Sequence, residues 1–367
     1  MQVLITGANG FIGKNLQQFL REEPDITIDT FTRSDAPNLL ADKINHADFI
    51  IHLAGINRPT DPADFKSGNI DLTKTIIDLL VQNHSHTPLI FSSSIQATLD
   101  NDYGTSKRLA EDYILNHYPY GIIYRLHNVF GKGCRPNYNS VVATFCDHIA
   151  KDKPIIIDNS HKTIKLIYID DICKSFIKLI KSHSIPSRNQ KYHYISPTYT
   201  ITLGKLADTL YEFKSDLNSI LVPATGDDFT KKLFSTFISY HEPNQLIFTP
   251  RTNSDERGSF TELIHTIESG QVSVSKTKPG ITRGNHYHHT KLEKFIVLQG
   301  SATIRMRKIS DTSVHSFNVD STTPQIITIP VGYTHNITNT GSSDLVLLIW
   351  CNEIFDQSNP DTFYEEV

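Results

Sequence analysis

The sequence is poor in the features that would settle its class at once. Cysteine occurs only four times in 367 residues, at Cys134, Cys146, Cys173 and Cys351, and no two form a C-x-x-C pair. That scatter excludes a disulfide frame and reads as buried thiols in a reducing compartment. No apolar run approaches the roughly 18 residues that a membrane-crossing helix needs. Neither charge sign dominates: 35 Lys plus Arg face 39 Asp plus Glu, a formal charge of −4 that argues against a polyanion as main partner. The opening run Met1-Gln2-Val3-Leu4-Ile5-Thr6-Gly7 enters a strand and turn with no charged leader, so a cytoplasmic protein is expected. Hydrophobic residues at 38% and aromatics at 10% suffice for ordinary cores and exclude a disordered chain. At roughly 150 residues per domain, the length predicts two or three domains.

What is present falls into two textures. The first half alternates strands, predicted at Gln2–Thr6 and at 26–32, 48–54 and 88–92, with helices at Phe11–Arg21 and at 72–81 and 106–116. Alternation of this kind predicts an α/β fold, a doubly wound parallel sheet with right-handed crossovers. From about residue 250 short alternating runs take over, at 271–275, 294–298, 302–306 and 345–349. Their Gly, Pro and Asn punctuation is that of an all-β barrel or sandwich. The boundary is placed in His241-Glu242-Pro243-Asn244, giving domains at 1–244 and 245–367.

Thr6-Gly7-Ala8-Asn9-Gly10-Phe11-Ile12-Gly13 follows the first strand and opens the first helix. In that context Gly7 makes the turn, Gly10 admits a pyrophosphate to the backbone, and Gly13 lets the helix pack on the sheet. The ribose-reading position, about 20 residues on, falls on Arg33. A cation there suits the 2′-phosphate of NADP(H), the other reading being a solvated surface arginine. Further along, Tyr103-Gly104-Thr105-Ser106-Lys107 places a phenol and an ammonium at i, i+4. Lys107 is expected to lower the Tyr103 pKa from about 10 towards working pH.

With Ser92-Ser93-Ser94 before it, this set resembles the extended short-chain dehydrogenase/reductase family over about residues 1–240. The resemblance implies Tyr103 as acid/base, Lys107 as its partner and ribose ligand, and one serine of the triplet, by position Ser94, on the substrate carbonyl. It implies cofactor contacts at Gly7, Asn9, Gly10, Phe11, Ile12, Gly13, Arg33, Leu53, Ala54 and Gly55. Arg125-Leu126-His127-Asn128-Val129-Phe130-Gly131 looks like the family's nucleotide-sugar motif, and substrate contacts are expected at Arg125, Asn128, Asn137, Asn139 and Ser140. Tyr168-Ile169-Asp170-Asp171 looks like a structural signature of the same family. Ile95-Gln96 stand where sugar-nucleotide dehydratases carry Asp-Glu, which argues against dehydration.

Gly280, His286, His288, Glu293 and Gly300 fall on every anchor of the first cupin motif, and Pro330-x-Gly332-x-x-His335-x-x-x-Asn339 on the second. His286 and His288 lie i, i+2 on one strand face, and Glu293 and His335 complete a set of three imidazoles and a carboxylate. Such a set suits Zn²⁺, Fe²⁺, Mn²⁺ or Ni²⁺, with Zn²⁺ ahead. A cluster of barrel histidines without metal is the other reading. Asp255 to Glu262 and Arg283-Gly284-Asn285-His286-Tyr287 are similar to nucleotide-4-keto-6-deoxysugar epimerases, whose general base falls at His286. Since the cupin spacing makes His286 a ligand, Lys291, His289, Tyr333 and a metal-bound hydroxide stay open as the base.

The pairing of both halves resembles the bifunctional capsular polysaccharide enzymes that convert a UDP-2-acetamido-2,6-dideoxy-hexos-4-ulose into UDP-2-acetamido-2,6-dideoxy-L-talose, a precursor of N-acetyl-L-fucosamine. The similarity extends to Ala54-Gly55-Ile56-Asn57-Arg58-Pro59, Ser92 to Thr98, Pro136 to Val141 and Phe355 to Val367. It implies a UDP-4-keto-6-deoxy-N-acetylhexosamine substrate, NADPH, a divalent metal and a homodimer. C3 epimerisation in the barrel would precede C4 reduction at Tyr103. The weaker alternatives are a reductase with a purely structural cupin and a non-catalytic NADP(H) sensor.

Overall fold

Val3, Leu4 and Ile5 are wholly buried, as are Ile50 and Ile51 and then Leu89, Ile90 and Phe91. Runs buried on both faces belong in a parallel sheet covered by helices. These runs form β1 (Gln2–Thr6), β3 (Phe49–His52) and β4 (Leu89–Ser94), joined by β2 (Thr27–Phe31), β5 (Gly121–Leu126) and β8 (Tyr192–His193). The sheet order is β2-β1-β3-β4-β5-β8, every pairing parallel. The strand order reverses between β1 and β3, which makes their carboxyl ends the switch point where such folds bind ligands. The helices are α1 (Phe11–Arg21), α2 (Leu39–His46), α3 (Leu72–Gln82), α4 (Asp102–His117), α5 (Val141–Ala150) and α6 (Ile169–Ser182). A small sheet of β6 (Asn128–Phe130), β7 (Thr163–Tyr168) and β9 (Tyr199–Thr202) completes this Rossmann-type unit. This computed structural model describes residues 1–367 except Arg58, Thr60, Pro62, Ala63, 183–189 and Ser310, so Arg58 of the family-like stretch lies outside the described residues.

The chain divides into two compact units, Met1–Tyr211 with Lys231–His241, and Glu212–Thr230 with Glu242–Val367. In place of the single boundary expected after residue 244, it passes between them three times, within α7 (Leu203–Leu217), within α8 (Asp228–Ile238) and after His241. The reason is β10 (Leu221–Val222), which pairs in parallel with β12 (Gly258–Thr266) and binds the 212–230 segment to the second unit.

The second unit is built of two mainly antiparallel sheets. One runs β10-β12-β13-β20-β15-β18, with β11 (Thr252–Asp255) beside β12, and uses β13 (Gly270–Thr277), β15 (Glu293–Gln299), β18 (Ile326–Ile329) and β20 (Leu345–Cys351). The other runs β17-β16-β19-β14-β21 and uses β14 (Thr282–Tyr287), β16 (Ser301–Lys308), β17 (Val314–Asp320), β19 (Tyr333–Asn339) and β21 (Phe363–Tyr364). Phe295, Val297, Leu345 and Leu347 from the first sheet share a core with Ile304, Met306 and Ile337 from the second. Asn339 serves this frame, its side-chain amide donating to the Thr277 and Ser343 carbonyls at 2.8 and 2.9 Å. No described helix is long and apolar enough to cross a membrane.

Candidate active site and candidate metal centre

At the switch point Gly7 has φ +72°, and a Cβ there would lie 2.5 Å from the Ala54 nitrogen. The glycine turn after β1 therefore fits directly against the loop after β3. A Cβ on Gly13 would meet the Gly7 carbonyl at 2.5 Å, whereas one on Gly10 would meet only that carbonyl, at 3.1 Å. Gly10 faces a cavity of about 680 Å³ that Arg33, Leu53, Ala54 and Gly55 also line. Arg33 is exposed at the end of β2 with no ion pair among the described residues, while the strand's own carboxylate, Asp29, is held by Lys43 at 2.6 Å. An adjoining cavity of about 510 Å³ takes in Phe11, Ile12 and Gly13 together with Ser94, Tyr103 and Lys107. Thus the structure brings all the expected cofactor residues to two neighbouring cavities.

The Ser94–Tyr103–Lys107 trio is set by local geometry. Asn101 accepts a hydrogen bond from the Gly104 amide at 2.8 Å and caps α4 one turn before the apolar periodicity begins. A Cβ on Gly104 would lie 2.1 Å from the Gln96 carbonyl, so only glycine lets α4 approach the turn after β4 this closely. That approach sets Tyr103 beside Ser94, whose hydroxyl oxygen accepts the Gln96 amide at 3.1 Å. The other two serines are occupied, Ser92 with the His52 carbonyl at 3.4 Å and Ser93 with the Glu111 carboxylate at 2.5 Å. Lys107 is buried and donates to the Ser92 carbonyl at 3.0 Å. The expected lowering of Tyr103 does not occur. Burial pushes the phenol up to about 12, against the pull of Ser94, and it is Lys107 that comes down, to about 8, through burial.

The residues expected to contact substrate divide. Asn128, Asn139 and Ser140 line the second cavity with Arg135 and Tyr138, two neighbours that sequence reasoning missed. Arg125 does not: its guanidinium binds Glu111 through two hydrogen bonds of 3.0 and 2.6 Å and lies over the Tyr192 ring. Glu111 is fully buried, so the cation that neutralises it has a structural task. Asn137 is turned away too, its side-chain oxygen on His148 at 3.0 Å.

Three further residues went unnoticed. His52 is buried between the hydroxyls of Thr6 (2.6 Å) and Thr73 (2.9 Å), and burial, aided by the Lys107 charge, brings its pKa down to about 3. Asn69 clamps the Ile56 backbone, its amide also reaching Ser106 on α4 at 2.9 Å. Glu111 continues the Tyr103–Lys107 face by one more i, i+4 step, the one signal by which the sequence could have disclosed it.

In the second unit His286 on β14 pairs across the ladder with His335 on β19. Together with His288 and Glu293 they place one ligand atom each within 4.8 Å of one another. The Glu293 Oε2 lies 3.0 Å from His335 Nε2 and 3.4 Å from His288 Nε2. All three of those atoms are buried and lack a hydrogen-bond partner. Burial alone would raise Glu293, but the adjoining His288 and His335 imidazoles hold its carboxyl well below the usual range. Burial brings His286 down to about 4. Three imidazoles converging on a carboxylate are the donor set of a borderline divalent cation, and these residues fit one. His289 stands outside the cluster, exposed and packed on Phe363. Lys291 is occupied at the Pro360 carbonyl, 2.7 Å away.

A dinucleotide turn, a cleft and a serine–tyrosine–lysine set lining it define an oxidoreductase of the short-chain type. Residues 3–193 match the NAD dependent epimerase/dehydratase family, and residues 253–363 match the polysaccharide biosynthesis C-terminal domain. The chain is 42% identical over 369 residues to a UDP-2-acetamido-2,6-beta-L-arabino-hexul-4-ose reductase of Pseudomonas aeruginosa, covering 99% of this chain and 98% of that protein. It is also similar to the crystal structure of the capsular polysaccharide assembling protein CapF from Staphylococcus aureus, at 41% identity and a TM-score of 0.91, over the whole of both chains. A structure of CapF with the inhibitor 3-isopropenyl-tropolone matches at 38% identity and a TM-score of 0.87, again over both whole chains. The chain belongs to the NAD dependent epimerase/dehydratase family and, across its full length, to the family of CapF and this 4-ketosugar reductase.

Proposed function

We propose that this chain is a bifunctional enzyme of capsular polysaccharide synthesis that epimerises C3 of a UDP-2-acetamido-2,6-dideoxy-4-keto-hexose and then reduces the C4 ketone with NADPH. The product is UDP-2-acetamido-2,6-dideoxy-L-talose. The observation that carries the reading is the presence, in one chain, of a Ser94–Tyr103–Lys107 set beside a dinucleotide cleft and of the His286–His288–Glu293–His335 cluster. The same reading includes a cupin fold for the β-rich unit, a homodimer and a cytoplasmic setting.

The order of steps follows from the ketone. A proton can leave C3 only while C4 is a carbonyl, because the electron pair then delocalises onto the carbonyl oxygen. Return of a proton to the opposite face inverts the centre. His286, His288, Glu293 and His335 would hold a divalent cation, Zn²⁺ being the best match, which would supply Lewis-acid stabilisation of that developing charge, worth roughly several kcal/mol. In the first unit the glycine cleft would hold a nicotinamide cofactor, which would supply a hydride to C4. Ser94 and Tyr103 hold the carbonyl oxygen from two sides, and Tyr103 gives its proton to that oxygen, so one ketone becomes one alcohol. Lys107 places a positive charge beside this transfer, and Arg33 faces the end of the cavity where a 2′-phosphate would lie.

Incubation of the protein with the 4-keto sugar nucleotide in heavy water, followed by NMR, tests the scheme. Deuterium is expected at C3 without NADPH, and the 4-hydroxy product only with it. A 4-hydroxy product formed without any inversion at C3, or an absence of C3 exchange in metal-loaded protein, would overturn the reading.

A further inference from the structure

Residues 352–366 fold back over the turn that carries His288 to Glu293. Asp361 sits at the centre of this contact. Its backbone carbonyl lies 2.5 Å from His288 Nδ1. Its carboxylate accepts the successive amides of His289, Thr290 and Lys291 at 2.9, 2.9 and 2.8 Å, and the Thr290 hydroxyl at 3.1 Å. The residue adopts φ +45°, a left-handed conformation for a non-glycine, so the surrounding bonds hold it where it is.

The same segment is tied beside the other ligands. Tyr364 pairs with His286 across the β14–β21 ladder. Lys291, two residues before Glu293, donates to the Pro360 carbonyl. Thr334, next to His335, donates to the Glu365 carbonyl. Arg307 closes the strap on Glu365 at 2.9 Å and on the Glu366 carbonyl at 2.6 Å.

We propose that Asp361 is a positioning residue for the cluster: its carbonyl selects the His288 tautomer that presents Nε2, and its carboxylate locks the 288–291 turn. The inference rests on the metal reading above. An imidazole whose Nδ1–H donates to a carbonyl keeps Nε2 free as a ligand atom, and here Nε2 is the buried atom without a partner, 3.4 Å from Glu293. Nothing in the Asp361 carboxylate reaches the four ligand atoms themselves, so it acts only through the turn.

The test compares full-length wild type, Asp361→Ala and Asp361→Asn. Zn²⁺ affinity is read by competition with a chromophoric chelator, the site's geometry by the visible spectrum of the Co²⁺ form, and folding by the melting of metal-free protein. Asp361→Ala should lose about ten- to hundredfold in Zn²⁺ affinity and change the Co²⁺ spectrum, with little change in the metal-free melt. Asp361→Asn retains an acceptor oxygen and should recover most of the loss. In wild type, hydrogen exchange at the 289–291 amides should slow when Zn²⁺ is added. Equal affinity in wild type and Asp361→Ala, or exchange at 289–291 indifferent to Zn²⁺, would overturn the role of Asp361 while leaving the metal site standing. Wild type that binds no Zn²⁺ would remove the metal reading, and this role with it. Parallel loss of affinity and of metal-free stability, without recovery in Asp361→Asn, would reduce Asp361 to a fold-stabilising residue and overturn the proposal.

Discussion

The two units prepare for their ligands in opposite ways. In the Rossmann-type unit the side chains of the trio already have partners within the protein, Ser94 with the Gln96 amide and Lys107 with the Ser92 carbonyl, beside a cavity edged with glycine backbone. In the β-rich unit three donor atoms, His288 Nε2, Glu293 Oε2 and His335 Nε2, converge without partners in a buried place. A large organic cofactor is recognised by shape and backbone hydrogen bonds, so its site can be stable when its side chains satisfy one another. A cation is recognised by lone pairs, and these remain available only if the fold leaves them unmatched. Unsatisfied buried groups cost about 1–3 kcal/mol each, and the hydrogen bonds of the 352–366 segment beside them help to hold the cluster in place.

The largest expected effect breaks the comparison into two independent halves. Tyr103→Phe should lower ketone reduction by about 10²–10⁴-fold and leave deuterium uptake at C3 unchanged. His335→Ala should do the reverse, abolishing most C3 exchange while sparing NADPH oxidation on a ketone already inverted. Absorbance of NADPH and NMR of the sugar, measured on the same folded preparations, check both. If either variant lost both activities, the units would not be chemically separable.

Legibility in the sequence followed the range of each interaction. The glycine turn and the Tyr103–Lys107 pair were readable because both are encoded in a few consecutive residues. His286 and His288 were readable because strand alternation puts them on one face, and the ladder then set His335 opposite His286. Arg125 was misread because its partner Glu111 belongs to another element, and only burial shows that the carboxylate must be neutralised. Asn137 was misread for the same reason, its partner His148 lying on α5. Asp361 gave no signal at all, being 73 positions from the histidine it holds. The parallel pairing of β10 was equally hidden, since two residues carry too little periodicity to announce a strand.

A smaller effect separates the units by pH. Burial brings Lys107 from its ordinary value down to about 8, so the side chain is cationic below that pH and neutral above it. Tyr103, at about 12, keeps its proton throughout this range and remains able to donate. The kcat/KM for ketone reduction should therefore hold steady below about pH 8 and then fall by about tenfold per unit as Lys107 loses its charge. C3 exchange involves neither group and should show no limb attributable to them. A reduction profile that is flat to pH 10 would mean that the Lys107 charge is not needed.

The smallest expected effect concerns Arg33. Near the end of β2 the Asp29 carboxylate is bound by Lys43 and that of Asp35 by Thr32, each at 2.6 Å, and the carboxylate that does line the cavity, Asp64, comes from the segment before α3. An exposed arginine left without an ion pair at that position suits a 2′-phosphate. A charge-assisted hydrogen bond is worth about 1.5–3 kcal/mol, and exposure puts Arg33 at the lower end. Arg33→Ser should therefore reduce the preference for NADPH over NADH by about tenfold, read as the ratio of kcat/KM values for the two cofactors. Melting temperature should not move, since Arg33 holds nothing else in place. C3 exchange, which needs no nicotinamide, should be untouched. An unchanged cofactor ratio would make Arg33 an ordinary surface cation and send the search for the 2′-phosphate contact elsewhere along the same cavity.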